Sequence, residues 1–198
     1  MMKVIGLTGG IGAGKSTVSK YLKDKGFLII DADQISRDLT KIGGEAIPNI
    51  RNEFGEKVFF ENGELNRKKL AEIVFNDSNK LKVLETFTTD VVNKKIKNTI
   101  IELRNLNYQG IVILDVPLLF ETGDESLCDE TWVVTCSIEN KIKRVTKRDN
   151  ITKEEVINRM GNQLSDIDKE KKATYVIRND GSLDDLYYQI DNLLLKNI

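Results

Sequence analysis

The apolar residues of this chain fall into short continuous runs separated by stretches in which they recur every three or four positions. Five runs have the length of a strand, and they lie at residues 4–7, 27–30, 111–114, 132–136 and 175–177. Continuous apolar runs are typical of strands that a parallel sheet buries on both faces. Helical spacing follows the first run at Val18, Tyr21 and Leu22. This order predicts a doubly wound α/β fold around a parallel sheet.

Residues 43–108 interrupt this order, because their apolar positions follow helical spacing and show no strand alternation. Asn66 is expected to cap one helix, residues 76–78 to end it, and a long helical pattern to continue from Leu81 to Ile100. The block is therefore predicted to be a helical insertion. Within a single domain of residues 1–198, the other parts are assigned to a core of about 1–32, 110–137 and 174–198 and to a helical lid of about 138–165.

Composition narrows the range of partners and chemistry. Lys plus Arg number 30 and Asp plus Glu number 31, so no basic field points to nucleic acid. No apolar run reaches the roughly 18 residues of a membrane-spanning helix, and the first residues lack the apolar core of a secretory leader. Cys128 and Cys136 fit neither a zinc nor a redox motif, which favours a reduced, cytoplasmic protein. Histidine is absent, so any proton acceptor must be a carboxylate, a lysine, a tyrosine or water.

The strongest chemical signal is a glycine-rich segment at residues 9–17, which fits the phosphate-binding P-loop pattern G-x-x-x-x-G-K-[ST]. It lies between the first predicted strand and the first predicted helix, as the motif requires. Glycines let successive backbone N–H groups face one anion, and the helix N-terminus adds its positive dipole. Lys15 is expected to reach the β- and γ-phosphates of a nucleotide, and Ser16 to bind Mg²⁺. The nucleotide contacts are assigned to Gly10, Ile11, Gly12, Ala13, Gly14, Lys15, Ser16 and Thr17.

Two aspartates follow the second predicted strand. Asp31 and Asp33 come at its carboxyl end, where parallel sheets bind ligands. Strand alternation, if it continued, would place both carboxylates on the same side. Asp33 is therefore a candidate proton acceptor, and the alternative is that it caps a helix from Gln34 to Leu39.

Another acidic strand end lies at Asp115, after four large apolar residues. In P-loop proteins this pattern delivers a carboxylate near Mg²⁺, so Asp115 is a candidate metal ligand together with Ser16. Pro117 then ends the strand and shapes a loop at the ligand edge. The apolar residues of this loop either contact an organic substrate or pack in the core.

Basic residues gather in the predicted lid. Arg144 and Arg148 lie four positions apart on one helix, and Arg159 lies on the next helix, which begins with a capping box at Thr152. Arginines on two facing helices would form a mobile lid over phosphates. The alternative is a solvated helical surface.

A P-loop with two acidic strand ends is compatible with more than one class of protein. The N-K-x-D and D-x-x-G motifs that a switch GTPase needs are absent from the sequence. The carboxylates, the helical insertion and the arginines favour a kinase of a small molecule, of the nucleoside-monophosphate kinase type. Within that class the acceptor can be a nucleoside, a nucleotide or a shikimate-like molecule, and a non-catalytic nucleotide-binding or switch module is the alternative of a different class.

Further motifs resemble those of the dephospho-CoA kinase family. In chain order they are residues 6–17, Asp31-Ala32-Asp33, the G-x-L-x-R at residues 63–67, Asp115-Val116-Pro117-Leu118-Leu119-Phe120-Glu121, Arg148-Asp149, the spacing from Arg159 to Gln163, and residues 176–179. They extend from residue 3 to about residue 190, which is nearly the whole chain.

The resemblance implies a P-loop kinase with a helical substrate-binding insertion and a helical lid. It implies transfer of the γ-phosphate of ATP, with Mg²⁺, to the ribose 3′-hydroxyl of dephospho-CoA, the last step of coenzyme A synthesis. The catalytic residues would be Lys15, Asp33, Arg144 and Arg148. The acceptor contacts would be Thr8, Asp33, Arg67, Pro117, Leu118 and Leu119. Dephospho-CoA is the one expected partner, with neither nucleic acid nor membrane, and the chain is expected to be a monomer or a small homo-oligomer.

One position departs from the family pattern. The family commonly has a His-Pro pair within the long helix of the insertion, where this chain has Thr88-Thr89. The substrate or hinge role usually given to that histidine is therefore not carried over to this chain.

Overall fold

The computed structural model describes residues 1–197, which form a five-stranded sheet and surrounding helices. The strands are β1 (Met2–Gly9), β2 (Leu28–Asp31), β3 (Gly110–Asp115), β4 (Glu130–Thr135) and β5 (Tyr175–Arg178). The α-helices are α1 (Lys15–Asp24), α2 (Ala32–Thr40), α3 (Ile47–Phe54), α4 (Arg67–Phe75), α5 (Ser78–Phe87), α6 (Thr89–Asn105), α7 (Leu119–Thr122), α8 (Ile138–Asp149), α9 (Lys153–Gly161), α10 (Asp166–Lys172) and α11 (Leu183–Leu195).

The sheet has the strand order β2-β3-β1-β4-β5, so β1 lies at its centre. β1 pairs in parallel with β3 and with β4, and β4 pairs in parallel with β5. Leu7 of β1 lies opposite Asp115 of β3, so the strand that leads into the P-loop and the acidic strand end share one edge of the sheet. The predicted doubly wound α/β class is confirmed.

The core beside the sheet explains the continuous apolar runs. Leu7 and Trp132 are fully buried, and they belong to one cluster with Leu22 of α1 and Ile190 of α11. Because helices cover the strands, inward and outward positions both need apolar side chains. This packing fixes the positions of β1, β3 and β4, from whose carboxyl ends the loops described below begin.

The chain divides into two compact units. One comprises residues 1–30 and the chain from residue 107 onwards, and it contains nearly all of the sheet. The other comprises residues 31–106 and contains α2 to α6. Its buried side chains include Ile50, Val74 and Ile96, which gives this helical unit an apolar core of its own. Across residues 1–197, none of the helices combines the length and the apolar character that crossing a bilayer requires.

Two helical features differ from the sequence expectations. The long pattern from Leu81 to Ile100 is split into α5 and α6 at Thr88, whose backbone has φ −122° and ψ −76°. The Thr88 hydroxyl donates to the Leu84 carbonyl at 2.8 Å, which is how threonine competes with continued helix hydrogen bonding. Helix α10 was not expected, although Ser165 caps it by accepting the Asp168 N–H at 3.1 Å. The sequence of α10 is mostly charged, so it has too few apolar residues to show helical spacing.

Candidate active site

The P-loop leaves β1 at Gly9 and ends where α1 begins at Lys15. Gly12 and Gly14 have φ angles of 77° and 96°, which glycine adopts without strain. The Ala13 N–H donates to the carbonyl of Gly10 at 3.0 Å, which closes the turn. The loop therefore has the tight backbone curl that phosphate-binding loops need.

Asn179, directly after β5, holds the loop in this shape. Its side-chain amide donates to the carbonyl of Ala13 at 2.8 Å, and its own N–H donates to the carbonyl of Thr135 at 2.8 Å. A Cβ at Gly14 would lie 2.0 Å from Asn179 Nδ2, so a side chain at this position would displace the amide. Asn179 is buried, so this support of the loop lies in the protein interior.

Lys15 forms an ion pair with Asp115, the residue at the end of β3. The side chain of Asp115 is 5% exposed and that of Lys15 is 16% exposed, so both charges are largely removed from water. Removing either partner of an ion pair at such burial would leave an uncompensated charge, which is strongly destabilising. The structure thus brings together the P-loop lysine and the acidic strand end that the sequence singled out.

The oxygen atoms beside this pair fit Mg²⁺. Ser16 is exposed on the first turn of α1, and its hydroxyl has no hydrogen-bond partner within residues 1–197. Asp115 contacts Lys15 through Oδ1, which leaves Oδ2 for another ligand. Mg²⁺ prefers such oxygen ligands and usually shares its coordination with phosphates and water. No group of three or more His, Cys, Asp or Glu residues in the described chain could hold a metal by itself.

Asp33 lies in the first turn of α2 and is exposed. The strand ends at Asp31 and the helix starts at Ala32, so strand alternation does not reach Asp33. Asp31 is the N-cap, since its Oδ1 accepts the Gln34 N–H at 2.9 Å. The alternative in which Asp33 caps the helix is therefore wrong, because Asp33 already lies within the helix, whereas Asp31 has the extended backbone of an N-cap. Within residues 1–197 the Asp33 carboxylate makes no ion pair.

Arg144 of α8 contacts the backbone of the P-loop. Its Nη2 donates to the carbonyl of Asn179 at 2.8 Å. Its Nη1 lies 3.4 Å from the carbonyl oxygens of Gly12 and Ala13. The guanidinium therefore supports the loop from the side of its carbonyl groups.

Arg148, one turn further along α8, has a different environment. Its Nε donates to Asp149 Oδ1 at 2.7 Å, and this hydrogen bond raises the pKa of the Arg148 guanidinium. Asp149 also accepts from Arg159 of α9 at 2.9 Å, so the carboxylate joins the two helices. Both arginine side chains are at least half exposed and stay accessible to an anion.

The loop after β3 is attached to β1. The Thr8 hydroxyl donates to the carbonyl of Pro117 at 3.0 Å. Leu118 is 39% exposed, whereas Leu119 is fully buried. Of the two leucines expected to contact an acceptor, Leu118 faces solvent and Leu119 packs in the interior.

Arg67, the first residue of α4, lines a cavity of about 240 Å³ within the helical unit. Its Nη2 donates to the hydroxyl of Thr40 at 2.5 Å. Thr88 lines the same cavity. Apolar side chains form most of the remaining wall, and they are Ile50, Leu65, Leu70, Ala71, Val74 and Leu84.

Two buried ion pairs beside these loops were missed by the sequence analysis. Lys141 of α8 pairs with Asp166 of α10, and Lys169 of α10 lies 2.9 Å from Glu121 Oε1. The two lysine side chains are 1% and 0% exposed, which is rare for lysine unless it is paired. Each lysine lies in a segment rich in other basic residues, so the sequence carries no signal that separates it from a surface lysine.

Comparison with known proteins identifies the family. The family model described as dephospho-CoA kinase matches residues 3–185. The dephospho-CoA kinase of Carboxydothermus hydrogenoformans is 42% identical over 196 residues, which cover 99% of this chain and 95% of that protein. The corresponding protein of Lactobacillus johnsonii is 40% identical over 194 residues, 98% of each chain.

A solved structure agrees with these sequence matches. The dephospho-CoA kinase from Campylobacter jejuni superimposes with a TM-score of 0.71 at 27% identity, and the alignment covers 100% of both chains. The P-loop kinase fold and the family motifs are therefore present together over almost the whole length. The chain belongs to the dephospho-CoA kinase family.

Proposed function

We propose that this chain phosphorylates the ribose 3′-hydroxyl of dephospho-CoA with ATP, giving CoA and ADP in the last step of coenzyme A biosynthesis. The observation that carries the proposal is the P-loop, with its Lys15–Asp115 ion pair, in a chain that matches the family over residues 3–185. A kinase of another small acceptor is not favoured, because the relatives at about 40% identity are dephospho-CoA kinases.

The donor half of the reaction is assigned to the P-loop. Backbone N–H groups of the P-loop would hold the phosphates, apart from those of Ile11 and Ala13, which already donate to Gln163 Oε1 and to the Gly10 carbonyl. Lys15 would neutralise charge on the β- and γ-phosphates. Lys15 has three donor hydrogens, so it can bind a phosphate while it keeps contact with Asp115. Ser16 and Asp115 would hold Mg²⁺, which when bound neutralises charge on the phosphates.

The acceptor half is assigned to four segments of the chain. Asp33 would accept or orient the proton of the attacking hydroxyl, and its exposed, unpaired carboxylate supports this role. Arg67 would bind an anionic part of dephospho-CoA, since it has no carboxylate partner within residues 1–197. Pro117 and Leu118 would contact the rest of the acceptor, whereas Thr8 and Leu119, which are fully buried, would support this loop from below.

The two lid arginines are assigned different parts. Arg148 would contact the transferring phosphoryl group, because its guanidinium is exposed and meets only the neighbouring Asp149. Arg144 would act mainly on the shape of the P-loop, because its donors face the carbonyl groups of Gly12 and Ala13. We further propose a cytoplasmic protein that acts as a monomer or small homo-oligomer without nucleic acid, in keeping with its two free thiols and balanced charge.

The test is a direct assay of the purified protein. ATP, Mg²⁺ and dephospho-CoA should give CoA and ADP, with AMP, uridine and shikimate as competing acceptors. Failure to form CoA together with turnover of another acceptor would overturn the proposal.

The role of Asp33 has its own test in the variant Asp33→Asn. Loss of a positioned general base lowers kcat by roughly 10²–10⁴-fold, and ATP affinity should stay near that of the wild type. Asp38→Asn is the matched control, because Asp38 is another exposed aspartate on α2 and pairs with Lys41 at 2.9 Å. A kcat near the wild-type value in Asp33→Asn would show that another group handles the proton.

A further inference from the structure

The segment between α9 and α10 reaches the P-loop through Gln163. Gln163 Oε1 accepts the N–H of Ile11 at 3.0 Å. A backbone N–H can only donate, so the amide oxygen of Gln163 must face it. The N–H of Gln163 itself donates to the carbonyl of Met160 at 3.1 Å, which fixes this residue to the end of α9. A residue outside the P-loop therefore holds the backbone of the P-loop directly.

The next residue in the chain reaches the loop after β3. The Leu164 N–H donates to Glu121 Oε1 at 2.9 Å. Lys169 Nζ lies 2.9 Å from the same oxygen and 3.4 Å from the carbonyl of Pro117. Glu121 thereby fixes the loop after β3 to both the α9–α10 segment and α10.

A buried ion pair holds the start of α10 against the same part of the P-loop. Asp166, the first residue of α10, pairs with Lys141 of α8. Asp166 Oδ1 and Lys141 Nζ would each lie 2.9 Å from a Cβ at Gly10. Glycine at this position is what lets both charged groups approach the loop. The α9–α10 segment is thus attached to the P-loop at two neighbouring positions.

We propose that Gln163 and Glu121 are positioning residues that hold the ATP-binding loop and the acceptor-binding loop at a fixed separation. Gln163, Leu164 and Glu121 together are named the loop clamp. Residues 163 and 164 are consecutive, with Cα atoms about 3.8 Å apart, so a shift of the two loops away from each other must stretch these hydrogen bonds or change the rotamers of Gln163 and Glu121. The proposal rests on the proposed function, which assigns ATP phosphates to one loop and dephospho-CoA to the other.

The clamp should act on the rate of transfer. Phosphoryl transfer depends on alignment of the attacking and leaving oxygens, and a misplacement of about 1 Å can lower a rate about 100-fold. Gln163 contacts loop backbone and none of the reacting atoms. Its loss should therefore lower kcat while the phosphates still find the N–H groups of the P-loop.

The test compares Gln163→Met with Asn162→Met in the full-length protein. Methionine keeps nearly the volume of glutamine and removes the acceptor. Asn162 is exposed in the same segment, and its side chain makes no hydrogen bond within residues 1–197, so its replacement is the matched control. The measurements are kcat, KM for both substrates, the dissociation constant for ATP, the melting temperature, and the ADP formed per CoA formed.

Gln163→Met should lower kcat by about 10–100-fold and raise the ratio of ADP to CoA, because water competes when the acceptor is misaligned. Its ATP dissociation constant should stay within about threefold of the wild type, and its melting temperature should match that of Asn162→Met. Glu121→Met, which removes the acceptor of the Leu164 N–H, should also lower kcat, and the double variant should lose less than the product of the two single losses, as expected for residues that act as one unit.

The outcomes separate the clamp from the function itself. If the wild type makes no CoA, the proposed function fails and the clamp fails with it. If the wild type is active and Gln163→Met keeps its kcat and its ADP-to-CoA ratio, only the clamp is overturned. A lower melting temperature with equal losses in ATP binding and kcat also overturns it, because Gln163 then acts on folding alone.

Discussion

A methyl group at Gly14 is the sharpest test of how the P-loop is held. Gly14 has a φ of 96°, and a Cβ there would lie 2.0 Å from Asn179 Nδ2. Gly26 is the matched control, because its φ is 90° and nothing lies within 4 Å of its Cβ position. Both alanine variants carry the same backbone strain, and only Gly14→Ala collides with a neighbour.

The magnitudes follow from these contacts. Alanine in the left-handed region costs about 1–2 kcal/mol, and Gly26→Ala should show this loss of unfolding free energy alone. In Gly14→Ala the amide of Asn179 must move and loses the Ala13 carbonyl as its acceptor, while that carbonyl keeps only the 3.4 Å contact with Arg144 Nη1. A buried amide without its hydrogen bond costs about 1–3 kcal/mol more. An excess of about 2 kcal/mol corresponds to a melting temperature roughly 4–8 °C below that of Gly26→Ala in a chain of this size.

Thermal unfolding and ATP titration calorimetry check both parts of the reasoning. Gly26→Ala should bind ATP as the wild type does, since it lies after α1 and away from the P-loop. Gly14→Ala should bind ATP at least about tenfold more weakly, because its N–H belongs to the phosphate cradle. Equal melting temperatures for the two variants, or wild-type ATP affinity in Gly14→Ala, would refute the argument that Asn179 and Gly14 fix the loop.

Three other side chains give measurable expectations. Burial, together with the negative charge of Asp124, raises the pKa of the Cys128 thiol to about 12. At pH 8, iodoacetamide should therefore modify Cys128 roughly a thousandfold more slowly in the folded protein than in the protein unfolded by urea. Equal rates in the two states would contradict this expectation. Burial opposes ionisation of the Glu121 carboxyl, but its hydrogen bonds with Lys169 and Leu164 lower its pKa below 4.5. The ionised carboxylate should therefore make the wild type more stable than Glu121→Gln, and this difference in unfolding free energy is full above pH 4.5. The difference should shrink as the pH falls through the pKa of the folded protein. A difference that stays constant down to acid pH would show that the carboxylate does not titrate as described. Thr152→Ala removes the capping box of α9 and should lower the free energy of unfolding by about 1 kcal/mol. A melting curve identical to that of the wild type would contradict this expectation.

The sequence was sufficient to predict those parts of the structure that depend on residues close together along the chain. The continuous apolar runs predicted the five strands, and the glycine pattern predicted the turn into α1 at Lys15. The N-cap residues Asn66 and Thr152 were identified from their types and positions, and both accept a backbone N–H three residues on. The predicted helix of residues 81–100 was too long, because it is two helices that meet at Thr88. Apolar spacing continues across this position, so it does not reveal the break.

Tertiary contacts determine what the sequence left unassigned. Lys141 and Lys169 look like surface lysines in the sequence, yet each is buried against an acid that is distant along the chain, Asp166 for Lys141 and Glu121 for Lys169. The pairing depends on how α8, α10 and the loop after β3 meet, and no periodicity encodes that. Arg144 was predicted to be a lid residue because of its spacing from Arg148. In the structure its guanidinium N–H groups face carbonyl groups of the P-loop backbone.

The contacts distinguish the two halves of the proposed machinery. In the nucleotide half, Asn179 and Arg144 contact the carbonyl groups of the P-loop, and Asp115 pairs with Lys15. In the acceptor half, Asp33 and Arg67 are exposed and lack ion pairs within residues 1–197, and Arg67 donates to the Thr40 hydroxyl. The guanidinium of Arg67 therefore keeps donors for an anionic group of the acceptor, and its substitution should change KM for the acceptor more than affinity for ATP.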